Sequence, residues 1–109
     1  MCAKKGGVLV SIQSREKRSQ LMGLVFQNMR RKRDEFWLSG NDIEEEGYWE
    51  WAKIRSRVPD FGWVEPPYDS HEENCLSWTV ETGENFWHGS SCCNNLRYIC
   101  EVLQRAVVK

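Results

Sequence analysis

Gly47-Tyr48-Trp49-Glu50-Trp51 alternates large apolar and polar side chains behind a glycine, the pattern of a half-buried β-strand. Working upstream, Phe36-Trp37-Leu38 is strand-like too. Before it, Leu21, Leu24 and Val25 recur at helical spacing, which predicts one buried helix face over about residues 14–27. Ser14 is placed to cap that helix, and Glu16 sits in its first turn, where the helix dipole favours an acid. Gly6-Gly7 reads as a turn leading into a β-branched run, Val8-Leu9-Val10-Ser11-Ile12, predicted as a strand. Downstream of Trp51 the pattern dissolves. Pro59, Gly62, Pro66 and Pro67 exclude long regular structure, so 52–74 is expected to be a long loop region. Loops of that length in compact domains are usually functional or disordered. Short strands are expected again over Cys75–Val80, Asn85–His88 and Tyr98–Val102. The sum is an α+β layout in one domain spanning 1–109, with one helix, short mostly antiparallel strands, and no repeats.

The chain has 109 residues, and 40% of them are hydrophobic, enough for one small core. Lys and Arg total 15 against 16 Asp and Glu, a net charge of −1 that argues against a general nucleic-acid binder. No apolar stretch approaches the roughly 20 residues of a membrane span. The run Arg30-Arg31-Lys32-Arg33 admits two readings: a heparin-like or nuclear-localisation patch, or a solvated loop after a helix C-terminus, where cations are favoured in any case. The overall charge favours the solvated loop. Of the six tryptophans, Trp37, Trp49, Trp51, Trp78 and Trp87 lie on strand-like segments and are expected in the core. Trp63 lies in the long loop with Tyr68, where packing beneath the loop is favoured over an exposed ligand contact because a buried indole contributes so much apolar area.

Five cysteines in so short a chain favour a disulfide framework and an oxidising compartment. The spacing of Cys2, Cys75, Cys92, Cys93 and Cys100 contains no Cys-x-x-Cys knuckle, and His71 and His88 form no His-x-x-x-His pair, so zinc is disfavoured. The odd count leaves one cysteine over. Met1 to Gly7 has no apolar stretch of the kind a secretory signal needs; the cysteines favour a signal lying upstream. His71 beside Glu72 and Glu73, and Cys92-Cys93 near His88, are the nearest approaches to catalytic groupings. Neither supplies a base together with an orienting partner, so no enzyme is expected. No Asn-x-Ser/Thr sequon occurs.

Taken in order, these segments resemble the C-type lectin-like domain. Gly6-Gly7-Val8-Leu9-Val10-Ser11-Ile12 is similar to its GGxLVSI segment, and Trp37-Leu38-Ser39-Gly40-Asn41-Asp42 to the W-x-S-G-N-D form associated with invertebrate lectins. Glu46-Gly47-Tyr48-Trp49-Glu50-Trp51 matches EGxWxW, Glu73-Asn74-Cys75 matches ENC, and Tyr98-Ile99-Cys100-Glu101 matches YICE. The resemblance implies disulfides Cys2–Cys100 and Cys75–Cys92, with Cys93 spare, either free or bridging to another chain. It also implies that the family's first strand and first helix, which precede the position of Cys2, are missing, leaving a domain incomplete at its N-terminus with one surviving helix.

In calcium-dependent members of that family the long loop supplies oxygen ligands to a cation that sugar hydroxyls complete. The resemblance carries the sugar-specificity tripeptide onto Glu65-Pro66-Pro67, with Pro66 expected cis. Pro67 has no side-chain oxygen where the family has an amide or carboxylate. Glu73 retains the next ligand, whereas the Trp-Asn-Asp motif reads Trp87-His88-Gly89. His88 is a poor ligand for a hard cation, and Gly89 offers only its carbonyl, so the calcium-bridged sugar site is expected to be degenerate. Asp42 and Glu46, with Glu73 and Asn74 nearby, stand where the family holds an auxiliary calcium; the alternative for Glu44-Glu45-Glu46 is a solvated turn.

The expected function is therefore that of a secreted or extracellular carbohydrate-recognition module. Its ligand-contact residues are Glu65, Pro66, Glu73, Trp63, Tyr68 and His88, and calcium is its candidate cofactor. The alternatives are a calcium-independent protein-binding domain of the same fold, and a non-functional fragment.

Overall fold

The computed structural model describes residues 7–45, 47–52, 54–59, 61, 73–81, 84–102 and 105–108. Along the chain lie β1 (Val8–Leu9), α1 (Arg15–Asn28), β2 (Arg33–Asn41), β3 (Glu50–Trp51), β4 (Cys75–Glu81), β5 (Glu84–Ser90), β6 (Arg97–Val102) and β7 (Arg105–Val108). The strands form one mixed sheet in the order β1-β6-β2-β4-β5, with β3 also pairing β2 and β7 also pairing β6. β2 and β6 run parallel, through Phe36↔Arg97 and Trp37↔Tyr98; every other ladder is antiparallel. The α+β class and the single expected helix are both present.

α1 starts where the sequence places it. The Ser14 side chain accepts from the Lys17 backbone N–H at 3.1 Å, satisfying one of the helix's free donors. Leu21 and Val25 are buried and Leu24 is half-buried against the core. Arg18 on the same helix is drawn inward. Its guanidinium lies over the Trp87 ring at 5.7 Å and donates to the Phe61 carbonyl at 3.2 Å and to Asn85 Oδ1. Burial, with a smaller push from Arg15, lowers its pKa.

The five tryptophans expected in the core are all buried, with Trp51, Trp78 and Trp87 almost wholly enclosed. Trp49, Trp51, Trp78 and Trp87 join one hydrophobic cluster, while Trp37, between Phe36 and Leu38 on β2, is buried outside it. Trp51 and Trp87 meet edge to face at 5.7 Å between centroids, a favoured aromatic geometry. On β4, Leu76, Trp78 and Val80 point into this core, so the intervening Ser77 and Thr79 occupy the opposite face.

Several boundaries differ from the sequence reading. The strand expected over 8–12 pairs as a ladder only at Val8 and Leu9, although Val10 and Ile12 are fully buried. Val10 N–H still donates to Ile99 O of β6 at 2.9 Å, but from there the bonds leave the ladder: Val10 O accepts from Ser39 N–H at 3.0 Å, and Ser11 N–H donates to the Glu101 carboxylate at 3.0 Å. The run 47–51 joins the sheet only at Glu50–Trp51, because Gly47 takes a positive φ of 84° and Tyr48 N–H closes a turn on Glu45 O. Arg33, read as part of a loop, opens β2 and lies opposite Glu81 in register. The strand β7 had no forecast in the alternation of side chains; its backbone pairs with β6 from Ile99↔Val108 to Val102↔Arg105.

Cys75 and Cys92 are bonded, with Cα atoms 5.2 Å apart, clipping the start of β4 to the segment after β5. Cys93 is a free, exposed thiol. Cys100 is also disulfide-bonded; its expected partner, Cys2, lies outside the described residues. Among the described residues no helix is long and apolar enough to cross a membrane.

Candidate functional site

The face of the sheet turned away from the tryptophan core carries a polar network built by strand alternation. Trp87 points into the core, so His88 points out, and register places it beside Ser77 of β4. Thr79 Oγ1 lies 2.7 Å and Ser77 Oγ 3.1 Å from His88 Nε2. Ser90 Oγ lies 3.3 Å from His88 Nδ1 and 2.8 Å from Ser77 Oγ. Glu35 sits opposite Thr79 on β2 and brings a carboxylate oxygen to 3.7 Å from His88 Nε2. Ser77, Thr79 and Ser90 are buried, so the imidazole is fixed from below while about a third of its side chain stays exposed.

Above this network opens a cleft of about 730 Å³ lined by Glu35, Glu73, His88, Ser90, Ser91 and Asn94. The lining mixes carboxylates, an imidazole, hydroxyls and an amide, the groups that hydrogen-bond to hydroxyl-rich ligands. Glu73 reaches the cleft from just before β4, and its carbonyl oxygen faces Gly89 on β5. A Cβ on Gly89 would stand 2.9 Å from that oxygen and 3.2 Å from the Trp49 ring, so glycine is what lets the two strands approach here.

A second group lies at the other end of β2. Asp42 is buried and its N–H donates to Asn74 O at 3.1 Å. Asp42 Oδ2 accepts from Gly47 N–H at 2.9 Å, closing the turn that follows β2, while Oδ1 is buried and makes no hydrogen bond among the described residues. Glu44 and Glu45 are exposed, and Glu44 pairs with Arg55, as a solvated turn would have them.

The structure thus joins Glu73 with His88 in one cleft and Asp42 with Asn74 in one turn. Among the described residues no cluster of three or more His, Cys, Asp or Glu side chains is assembled to hold a metal. Trp63, Glu65, Pro66, Tyr68 and Glu46 lie outside the described residues. Glu35, Ser77, Thr79, Ser90, Ser91 and Asn94 were not singled out from the sequence. The alternation in Cys75–Glu81 marks Ser77 and Thr79 as sharing a face, but what that face meets depends on pairing with β2 and β5.

Residues 1–102 match the family model of the lectin C-type domain. The chain is 29% identical over 101 residues to the galactose-specific lectin nattectin of Thalassophryne nattereri, covering 91% of this chain and 61% of that protein. It is 28% identical over 102 residues to a perlucin-like protein of Mytilus galloprovincialis, covering 91% and 64%. It therefore spans somewhat under two thirds of the length of these relatives. Its fold superimposes on the carbohydrate-recognition domain of the mouse scavenger receptor C-type lectin with a TM-score of 0.73 and 27% identity, over 97% of this chain and 77% of that one. The human counterpart, at 23% identity, has the same fold with a TM-score of 0.69, over 99% and 78%. The chain belongs to the C-type lectin domain family, a family of non-enzymatic recognition domains.

Proposed function

We propose that this chain is an extracellular carbohydrate-recognition domain that meets sugar hydroxyls directly with side chains of the His88 cleft, with no calcium ion bridging sugar to protein at residues 88–89. The observation that carries the reading is the lining of that cleft, in which every side chain offers a hydrogen bond. Support for a degenerate calcium bridge comes from the chemistry at the same place. A hard cation takes about six to eight oxygens. His88 supplies ring nitrogens where a hard cation needs oxygens. Gly89 is packed against the Glu73 carbonyl and Trp49 with no space for a carboxylate. These residues do not fit a calcium ion there, and the sugar contact is assigned to Glu73, His88, Ser91, Asn94 and Glu35. The proposed surface continues into Trp63, Glu65, Pro66 and Tyr68.

Calcium is assigned instead to the turn closed by Asp42, with Glu46, Glu73 and Asn74 as further ligands. The supporting observation is Asp42 Oδ1, a buried carboxylate oxygen without a hydrogen bond among the described residues, which is costly unless a cation or a proton compensates it. A calcium ion there would order the turn before β3 without bridging to the sugar, Glu73 being the residue the two sites share. Disulfide bonding at Cys75–Cys92 and Cys100 agrees with an extracellular setting.

The test is calorimetric titration of the oxidised chain with galactose, the sugar in nattectin's name, followed by a glycan screen, each with and without chelator. Binding that survives chelation and falls with His88→Ala is the expected result. Binding abolished by chelator would overturn direct contact. A cooperatively melting chain that binds no glycan would point to a protein ligand, and a broad, uncooperative melt to a non-functional fragment.

A further inference from the structure

A second cleft, of about 690 Å³, lies on the far side of Glu35 and is lined by Arg30, Arg31, Arg33 and Arg97 together with Asp34, Asn95, Leu96 and Tyr98. We infer that this cleft binds the anionic groups, sulfate or uronate, of an acidic polysaccharide. Its charge does not follow from local sequence alone. Cations after a helix C-terminus are explained by the helix dipole, but Arg97 enters from β6, more than sixty positions later, through the parallel pairing of β2 and β6.

The cleft has a rigid base. Arg97 donates to Asp34 Oδ2 at 2.8 Å and to the Asn28 carbonyl at 2.8 Å, and stacks over the Phe36 ring at 5.2 Å. Asp34 is buried, and Arg31 approaches its other oxygen at 3.7 Å, so the one carboxylate in the floor is neutralised and does not repel an anion. Around that base, Arg30 and Arg33 are exposed and make no ion pair with any described residue. Glu81, opposite Arg33 in register, and Glu35 on the rim are the nearest opposing carboxylates. The guanidinium fork matches the paired oxygens of sulfate or carboxylate, a geometry that lysine does not offer. Tyr98 adds an aromatic and hydroxyl surface suited to a sugar ring. The net charge of −1 confines attraction to this cleft and disfavours a long duplex polyanion, which needs an extended basic face.

The assignment does not depend on neutral-sugar binding at His88, because the two clefts use different side chains apart from Glu35. The experiment measures binding of the oxidised chain to a sulfated, uronate-containing glycosaminoglycan hexasaccharide across a salt series, beside its desulfated form, a neutral hexasaccharide and a short DNA duplex. The sulfated chain is expected to bind in chelator. Arg30→Ala and Arg33→Ala should each weaken it by about tenfold. Each should also make the salt dependence shallower by about one unit of slope. His88→Ala should leave this binding unchanged. Retained binding of the desulfated chain would assign the contact to uronate. No binding at low salt, equal binding of the neutral chain, or equal affinity in the Arg30→Ala/Arg33→Ala variant with an unchanged melting temperature would each overturn the inference. Equal affinity for the duplex would overturn the choice of polysaccharide.

Discussion

Gly89 and Glu73 stand so close that a Cβ on the glycine would lie 2.9 Å from the glutamate's carbonyl oxygen. The obstructing atom is backbone, fixed by the disulfide at Cys75 two residues on, and the Trp49 ring closes the other side. Gly89→Asp, which reinstates the family's acidic residue, is therefore expected to destabilise the fold by about 1–3 kcal/mol, as overpacking does. It is expected to bring no calcium binding at this position. Denaturant melts and calcium calorimetry on the variant check both parts.

His88 holds three hydroxyls that have few other partners. His88→Ala leaves Ser77 and Ser90 to bond one another and takes from the buried Thr79 hydroxyl its imidazole partner, so a cost of about 1–2 kcal/mol is expected beyond the effect on sugar binding. Because Ser77 and Ser90 already share a 2.8 Å contact, the double change His88→Ala/Thr79→Val should recover part of that loss. A double-mutant cycle by thermal or chemical melting decides it.

Arg18 links α1 to β5. Arg18→Met keeps much of the packing over Trp87 and removes the donors to Phe61 O and Asn85. The expected cost is about 1–3 kcal/mol, at the charged-donor end of the hydrogen-bond range. Urea midpoints at constant slope would register it. Asn85 also accepts from Trp78 Nε1, so Trp78 fluorescence should shift with the same change.

Asp42 is expected to couple calcium to stability. Millimolar calcium should raise the melting temperature of the parent chain and leave that of Asp42→Asn unmoved, while Glu44→Gln, on an exposed side chain of the same turn, should retain the response. An unchanged parent melting temperature would dispose of the cation at this turn.

Cys93 should react as a single thiol in the native, oxidised chain, and Cys93→Ser should remove that reactivity without shifting the melting temperature. Titration with a thiol-specific chromophore under native conditions measures it. A disulfide-linked dimer that disappears in the variant would identify Cys93 as a bridge to another chain.

The helix was legible because Ser14, Leu21 and Val25 state its cap and its buried face locally. β4 was legible for the same reason, Leu76, Trp78 and Val80 alternating over a core. The strand expected over 8–12 stops as a ladder at Leu9, since Val10 O accepts from Ser39 on β2 and Ser11 N–H donates to a carboxylate that only the fold brings near. β7 was missed because Arg105–Val108 has no strand alternation, and its place is fixed by backbone pairing to β6. At the site, Glu73 and His88 were visible through family resemblance. Glu35 was not, and of the arginine cleft only the run Arg30-Arg31-Lys32-Arg33 was, favoured there as a solvated loop; Arg97 joins it only when β2 is set beside a strand far along the chain.

The sheet order β1-β6-β2 has a consequence for biosynthesis. β6 occupies the slot between two strands that leave the ribosome some sixty or more residues earlier. Until Arg97–Val102 emerges, β1 and β2 have no shared neighbour, and the apolar residues between them, Val10 and Ile12, stay uncovered. Closure of the sheet is therefore a late event governed by long-range pairing, and the interval before it is when the nascent chain is most exposed to aggregation and most dependent on the folding assistants of its compartment.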